Sequence, residues 1–177
     1  KLATGINEFR LLNYLSNCKI KINSDTSFAL FGLNLLNDSS GVVYHNIGVN
    51  GAEYQSFLGQ PLFFEQVPEL NADLYILSFG TNEAFAKNFD GTVFIQTVDS
   101  FISKLRYVSP SASILITSPP ESCKRIRRGV FAPNPNVITI RNLLQKYCLE
   151  NKIAFFDLYE CSGGKGSMFR FAKNKMS

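Results

Sequence analysis

At 177 residues with 45% hydrophobic content, the chain can bury one substantial core, since domains usually run to about 100 to 200 residues. Charged residues are only 18%, and sixteen Phe and seven Tyr stand without any Trp, which excludes a disordered or fibrous chain and predicts an aromatic interior. Most of the net charge of +4 gathers in one run, Lys124, Arg125, Arg127 and Arg128; a solvated loop is expected there, with phosphate or carboxylate binding as the alternative. No aromatic residues interleave with the run to stack bases, so nucleic acid is not an expected partner.

Cys18, Cys123, Cys148 and Cys161 form no CxxC pair, and the lone His45 brings no second ligand at a metal-binding spacing, so no metal is expected. The cysteines are read as disulfide partners or as small buried apolar groups. No apolar run reaches the roughly 18 to 20 residues that a bilayer requires, and the first residues lack a signal-peptide profile; no membrane is expected as a partner. The chain opens on Lys1 rather than Met and is read as a processed piece.

In chain order, Glu8 to Leu15 reads as strand or helix, while Cys18 to Ile22 and Phe28 to Leu36 have strand-like content. Lys19 and Lys21 alternate with apolar residues at period two. A small β-rich segment over residues 1–40 is therefore expected, separated at the turn-forming Asn37-Asp38-Ser39-Ser40-Gly41 from an α/β domain over residues 41–177. In that domain Val42 to Ile47 reads as a strand. Gln55 to Leu70 reads as partly helical, broken at Pro61 and Pro68. The apolar Leu74 to Phe79 reads as a strand buried on both faces. Thr92 to Val108 is an amphipathic helix by the spacing of Phe94, Val98, Phe101, Ile102 and Leu105. Ile114 to Thr117, Asn136 to Asn151 and Ile153 to Leu158 follow as strand, helix and strand. The alternation predicts a mostly parallel sheet with crossover helices. Ser162 to Ser167 is a Gly- and Lys-containing loop without phosphate-loop spacing.

In open α/β sheets, ligands collect beyond the carboxyl ends of the strands. Two such ends carry chemistry: Asn46 to Ala52, after the strand at Val42, and Gly80-Thr81-Asn82-Glu83, after the strand at Leu74. In acyl transfer, negative charge grows on a carbonyl oxygen and must meet pre-aimed donors. A glycine offers its N–H without an obstructing side chain, and a carboxamide offers a donor that does not titrate. Gly51 and Asn82 are the expected pair. The plainer alternative is that Gly48 and Gly51 only permit tight turns and that Asn82 caps the next segment.

In order and spacing, Gly48 to Glu53 (Gly-Val-Asn-Gly-Ala-Glu), Ser78 to Phe85 (Ser-Phe-Gly-Thr-Asn-Glu-Ala-Phe), Thr117 to Glu121 (Thr-Ser-Pro-Pro-Glu) and Asp157-Leu158-Tyr159 resemble the SGNH (GDSL-like) hydrolase superfamily. The likeness covers about residues 41–171 and fits a Bacteroidetes-type subgroup with a β-rich module inserted ahead of block II. It implies a flavodoxin-like α/β/α fold in three layers. Gly51 and Asn82 are implied as oxyanion-hole donors, with Asn50, Tyr54 and Glu83 on the rim. It further implies an acylated carbohydrate or other small ester as partner, no cofactor, and a periplasmic or secreted location. Glu83 stands where aspartate is commoner.

Two departures bear on activity. The family's Gly-Asp-Ser sequence is absent, and so is its Asp-x-x-His; the one histidine, His45, precedes block II and is expected to be structural. Without nucleophile and base, an oxyanion hole leaves only residual catalysis. The chain is therefore read either as part of an esterase or as an inactive relative kept for binding. The family's serine-bearing strand sits centrally, between the strands expected at Val42 and Leu74. A segment of residues 1–36 or a separate chain is expected to fill that position.

Overall fold

Patterning at the helical and strand periods turns into regular elements from Tyr54 onward. The computed structural model describes residues 7–11, 17, 19–23, 27, 29–30, 32–33, 35–36 and 39–174. Two units result, Lys1–Tyr44 and His45–Ser177. In the first, no described residue belongs to a helix or strand. The strands expected over 18–22 and 28–36 are thus not formed at the described positions, and the rest of those ranges, like residues 12–15, lies outside them. The strand expected at Val42 to Ile47 is also absent. Val42 is 97% exposed and Val43 and Tyr44 are exposed with it; a strand exists only where a neighbour takes up its hydrogen bonds, and no described residue does so.

In the second unit, Pro61 and Pro68 break the predicted helical stretch into α1 (Tyr54–Leu58), α2 (Phe63–Gln66) and a 3-10 turn, Val67–Leu70. β1 (Leu74–Leu77) leads through a 3-10 turn, Glu83–Phe85, into α3 (Gly91–Val108). β2 (Ser113–Thr117) is followed by a hairpin of β3 (Cys123–Arg127) and β4 (Val130–Pro133). Then come α4 (Pro135–Glu150), β5 (Ala154–Phe156), α5 (Leu158–Cys161) and α6 (Ser167–Lys173). The main sheet runs β1-β2-β5, all parallel, as the α/β reading expects. Its register sets Leu77 beside Ile116 and Ile116 beside Phe155, so the three strands end side by side.

Paired residues of parallel strands point to the same face. One face therefore carries Tyr75, Leu77, Ile114, Ile116 and Phe155, and it packs into one core with Val98, Phe101 and Leu105 of α3 and Val137, Ile140 and Leu144 of α4. On the other face Leu74, Ile76 and Phe156 are exposed. The run at Leu74 to Phe79, expected to be buried on both faces, is covered on one. Among the described residues β1 has a ladder partner on one side only, so no described segment fills the place expected for a further strand.

Caps and one partly buried bond fix the helices over this core. Asp90 Oδ1 accepts from Thr92 N at 2.8 Å and from Val93 N at 3.2 Å at the start of α3. Asn134 Oδ1 accepts from Asn136 N at 3.1 Å at the start of α4, where Pro135 has no N–H to satisfy. Tyr147 Oη of α4 donates to Asp99 Oδ1 of α3 at 2.8 Å; burial, followed by this bond, holds the phenol pKa well above its usual value. No described helix is long and apolar enough to cross a membrane. Leu144 is fully buried, so Leu144→Ala is expected to cost about 2–5 kcal/mol. Denaturant midpoints measure this, and a loss under about 1 kcal/mol would take Leu144 out of the core.

Candidate active site

β1 ends in a tight passage. Gly80 has φ +104, and a Cβ there would lie 2.9 Å from Ile140 Cγ2 and 3.2 Å from Pro119 Cγ. Only glycine fits both the backbone angle and the space. Beyond it the chain closes a short turn, with Ala84 N donating to Gly80 O at 3.0 Å and Phe85 N to Asn82 O at 2.9 Å.

Glu83 folds back over this turn. Its Oε2 accepts from Gly80 N at 2.9 Å, and its Oε1 accepts from Tyr54 N, 29 residues earlier, at 3.0 Å. Alongside it, Asn82 Nδ2 donates to Ala52 O at 2.8 Å. Ala52 closes the turn that begins at Val49, through Ala52 N to Val49 O at 3.1 Å. At the third position of that turn Gly51 has φ +80, an angle that favours glycine. Two side chains from one strand end thus lace the earlier turn against it. Below, Asn134 and Asn136 both donate through Nδ2 to Ala84 O, at 2.9 and 3.0 Å, fixing the Glu83–Phe85 turn to the start of α4.

The expected residues divide accordingly. Gly51 and Asn82 are brought to neighbouring positions, because Asn82 bonds to the residue after Gly51. Gly51 is exposed, and among the described residues its N–H has no acceptor. Asn82 makes no side-chain cap, so the capping alternative does not hold for its carboxamide. One of its two N–H groups is taken by Ala52; the other has no partner among the described residues. Asn50 is exposed on the same turn.

Tyr54 and Glu83, expected on the rim, border a cleft but expose little of their own surface. Tyr54 is 1% exposed, with its ring 4.6 Å from Phe79 and 5.4 Å from Phe101 between centroids: the aromatic core claims it. Glu83 is 8% exposed because its carboxylate is consumed by backbone donors. Burial pushes the Glu83 pKa up, opposed by the bonds from Tyr54 and Gly80 and reinforced by the nearby Glu53 charge. His45 is half-buried and lies in no strand.

A cleft of about 470 Å³ adjoins the laced turns, lined among others by Glu53, Gln55, Glu83, Phe89, Asp90 and Thr97. Sequence reading missed this cleft, although the Asp90-Gly91 helix start that borders it is a recognisable capping signal. It also missed the brace at Asn134, which the Asn134-Pro135 pair signals in the same way. A second polar cluster lies at the ends of β2 and β5. Arg141 Nε donates to Asp157 Oδ1 and Oδ2 at 3.0 and 2.9 Å, and Ser118 Oγ donates to Asp157 Oδ1 at 3.0 Å. The Arg141 bond, with smaller help from Glu160 N and Ser118, holds the Asp157 pKa below the usual carboxylate range, which marks an ion-pair anchor. Cys148 is buried, with its thiol pushed up to about 11. Cys123 and Cys161 are also free thiols, and Cys18 lies outside the described residues.

Residues 23–172 match the model of the GDSL-like Lipase/Acylhydrolase family. Among solved structures the chain is similar to a peptidoglycan O-acetylesterase, at 27% identity and a TM-score of 0.64, covering 72% of this chain and 37% of that one. It is also similar to a candidate acylhydrolase from Bacteroides fragilis, at 17% identity and a TM-score of 0.53, covering 66% of this chain and 56% of that one; this second likeness speaks to the fold alone. The chain thus spans well under two thirds of either protein. No curated protein matches it. The resemblance carried by Gly48 to Glu53 and Ser78 to Phe85 agrees with these findings, as does a mixed α/β fold with a mostly parallel sheet. With the family match extending over most of its length, and Asn82 bonded to the turn that carries Gly51, the chain belongs to the GDSL-like lipase/acylhydrolase family.

Proposed function

We propose that this chain supplies the oxyanion hole of a serine ester hydrolase that removes acyl groups, acetyl among them, from carbohydrate. The observation that carries this reading is the bond from Asn82 Nδ2 to Ala52 O at 2.8 Å. It holds the carboxamide plane fixed, leaves the second N–H free, and sets that N–H beside the turn whose Gly51 N–H is also unpartnered. Donors fixed before the reaction begins need no reorganisation as charge grows on the ester carbonyl oxygen. Both are neutral amides, so neither is lost by titration. Asn50 borders the same turn and contacts the substrate.

Glu83 is a positioning residue in this scheme. Its two backbone bonds hold Tyr54 and Gly80, and so the turns next to them, at a fixed separation; a bond to a charged acceptor contributes about 1.5–3 kcal/mol. The nucleophilic serine and the Asp-x-x-His base come from outside the 177 residues, and the strand carrying the serine pairs with the edge of β1 that has no partner among the described residues. The likeness to a peptidoglycan O-acetylesterase supports a carbohydrate ester as substrate, and with it a periplasmic or secreted location. No cofactor enters this chemistry. The absence of Gly-Asp-Ser and Asp-x-x-His from the sequence favours one other reading, an inactive module that binds the ester without cleaving it.

A short aryl acetate separates the two readings. The chain alone is expected to show no turnover, while the protein that joins it to both missing sequences hydrolyses the ester. In that protein Asn82→Ala is expected to lower kcat/KM by about 100-fold to 1000-fold; an unchanged rate removes Asn82 from the mechanism, and an inactive complete protein favours the binding module. Glu83 makes a second prediction. Because its pKa is raised in the folded state, the native protein binds that proton more tightly than the unfolded chain, so the stability due to Glu83 falls as pH rises from the ordinary carboxylate range through the raised value. Denaturant midpoints across that range should show this decline in the native protein and lose it in Glu83→Gln; equal slopes in the two would show that Glu83 does not titrate there.

A further inference from the structure

β3 and β4 form a two-stranded antiparallel sheet separate from the main one. Across it Lys124 faces Ala132, Arg125 faces Phe131 and Arg127 faces Val130, with a register shift between Arg125 and Arg127. Arg128 and Gly129, the latter at φ +74, make the tip. Arg125, Arg127 and Arg128 are exposed, and none of the four cations forms an ion pair among the described residues. Lys124 Nζ lies 5.8 Å from the centroid of the Phe85 ring. At the base, Asn134 N donates to Ser122 O at 2.8 Å while Asn134 Nδ2 holds Ala84 O at 2.9 Å. The hairpin is thus fixed to the same short turn that carries Asn82 and Glu83. The sequence shows a basic run; the structure makes of it a positive arm on the edge of the candidate active site.

We propose that the β3–β4 hairpin docks a carboxylate-bearing polysaccharide, so that the ester reaching Gly51 and Asn82 is carried on an acidic glycan. This rests on the esterase reading for its link to the site, and on the hairpin alone for the docking. Guanidinium groups meet carboxylates in a two-pronged fork, which suits Arg125, Arg127 and Arg128. At about 3.3 Å per residue, Lys124 to Arg127 spans roughly 10 Å of strand, enough to engage more than one charge of an extended polymer. Ile126 at 68% exposure and Phe131 at 53% add apolar surface between the cations for the C–H faces of sugar rings. A lipid surface is a poorer match, because the apolar side chains lie along the arm while the tip is Arg128-Gly129, and a charged tip is costly to insert into hydrocarbon. A single-stranded nucleic acid calls for several stacking rings, and the hairpin offers Phe131 alone.

Affinity electrophoresis of this chain through polygalacturonate, with dextran as the neutral control, tests the proposal. The chain is expected to be retarded by polygalacturonate and not by dextran, with affinity falling about tenfold or more when ionic strength is raised from about 0.05 M to about 0.5 M. The double variant Arg125→Ser/Arg127→Ser should lose about tenfold or more, whereas Lys146→Ser on α4 should change nothing. Circular dichroism melting checks that the double variant is folded; if it is not, the single variant Arg128→Ser takes its place. No retardation, equal retardation by dextran, or retention of affinity in the folded arginine variants would overturn the proposal. So would tighter binding to phosphatidylglycerol-containing vesicles or to single-stranded DNA than to polygalacturonate. Asn82→Ala should leave the retardation unchanged, so failure of docking and failure of the esterase reading appear in separate measurements.

Discussion

The carboxylate of Glu83, buried between Tyr54 N and Gly80 N, is the contact on which the geometry of the candidate site depends. An ionised group taken out of water is tolerated only when its lone pairs are satisfied, so the two segments cannot drift apart without stranding it. Asn82 repeats the connection one residue away through Ala52 O. Two polar side chains thus convert an exposed, irregular turn around Gly51 into a surface with a fixed relation to the end of β1. The rest of the domain serves to hold that strand end still: Gly80 seats against Ile140 and Pro119, and Ala84 is held from beneath by Asn134 and Asn136.

Among the described residues, the sheet is open on one side of the strand that leads into the candidate site. β1 is, among the described residues, the edge of a three-stranded parallel sheet, and its outer residues Leu74 and Ile76 are exposed. An apolar parallel strand with an open edge is unusual, because crossover connections normally cover both faces. In the proposed esterase, the family's serine-bearing strand would supply a neighbour for β1 and the nucleophile together. Val42 to Ile47, apolar and β-branched enough to read as a strand, has no partner among the described residues and is irregular.

Elements whose identity depends on local periodicity were legible in the sequence. α3 and α4 follow from apolar residues spaced three and four apart, and β1, β2 and β5 from short apolar runs between turn formers. The break at Pro61 and Pro68 follows from the missing N–H of proline. That Asn82 lies beside the turn of Gly51 was legible too, through motif order. The resemblance implied a rim for Tyr54 and Glu83, but how deeply each is buried depends on neighbours distant in sequence: Phe79 and Phe101 for the ring, and Tyr54 N for the carboxylate. The β3–β4 hairpin escaped notice because its cations alternate poorly with its apolar residues, and a bulge between Arg125 and Arg127 breaks the period of two.

The sequence by itself determined the α/β class, the order of the parallel elements and the family, and it singled out the turns of Gly51 and Asn82, since each of these is written in residue type and short-range spacing. Only the tertiary structure decided which polar groups are consumed and which remain free, that one face of β1 stays exposed, and that the basic run stands next to the site. Those outcomes depend on contacts between residues thirty to fifty positions apart, as in Asn82 with Ala52 and Asn134 with Ala84, and no local pattern encodes the distance across such a gap.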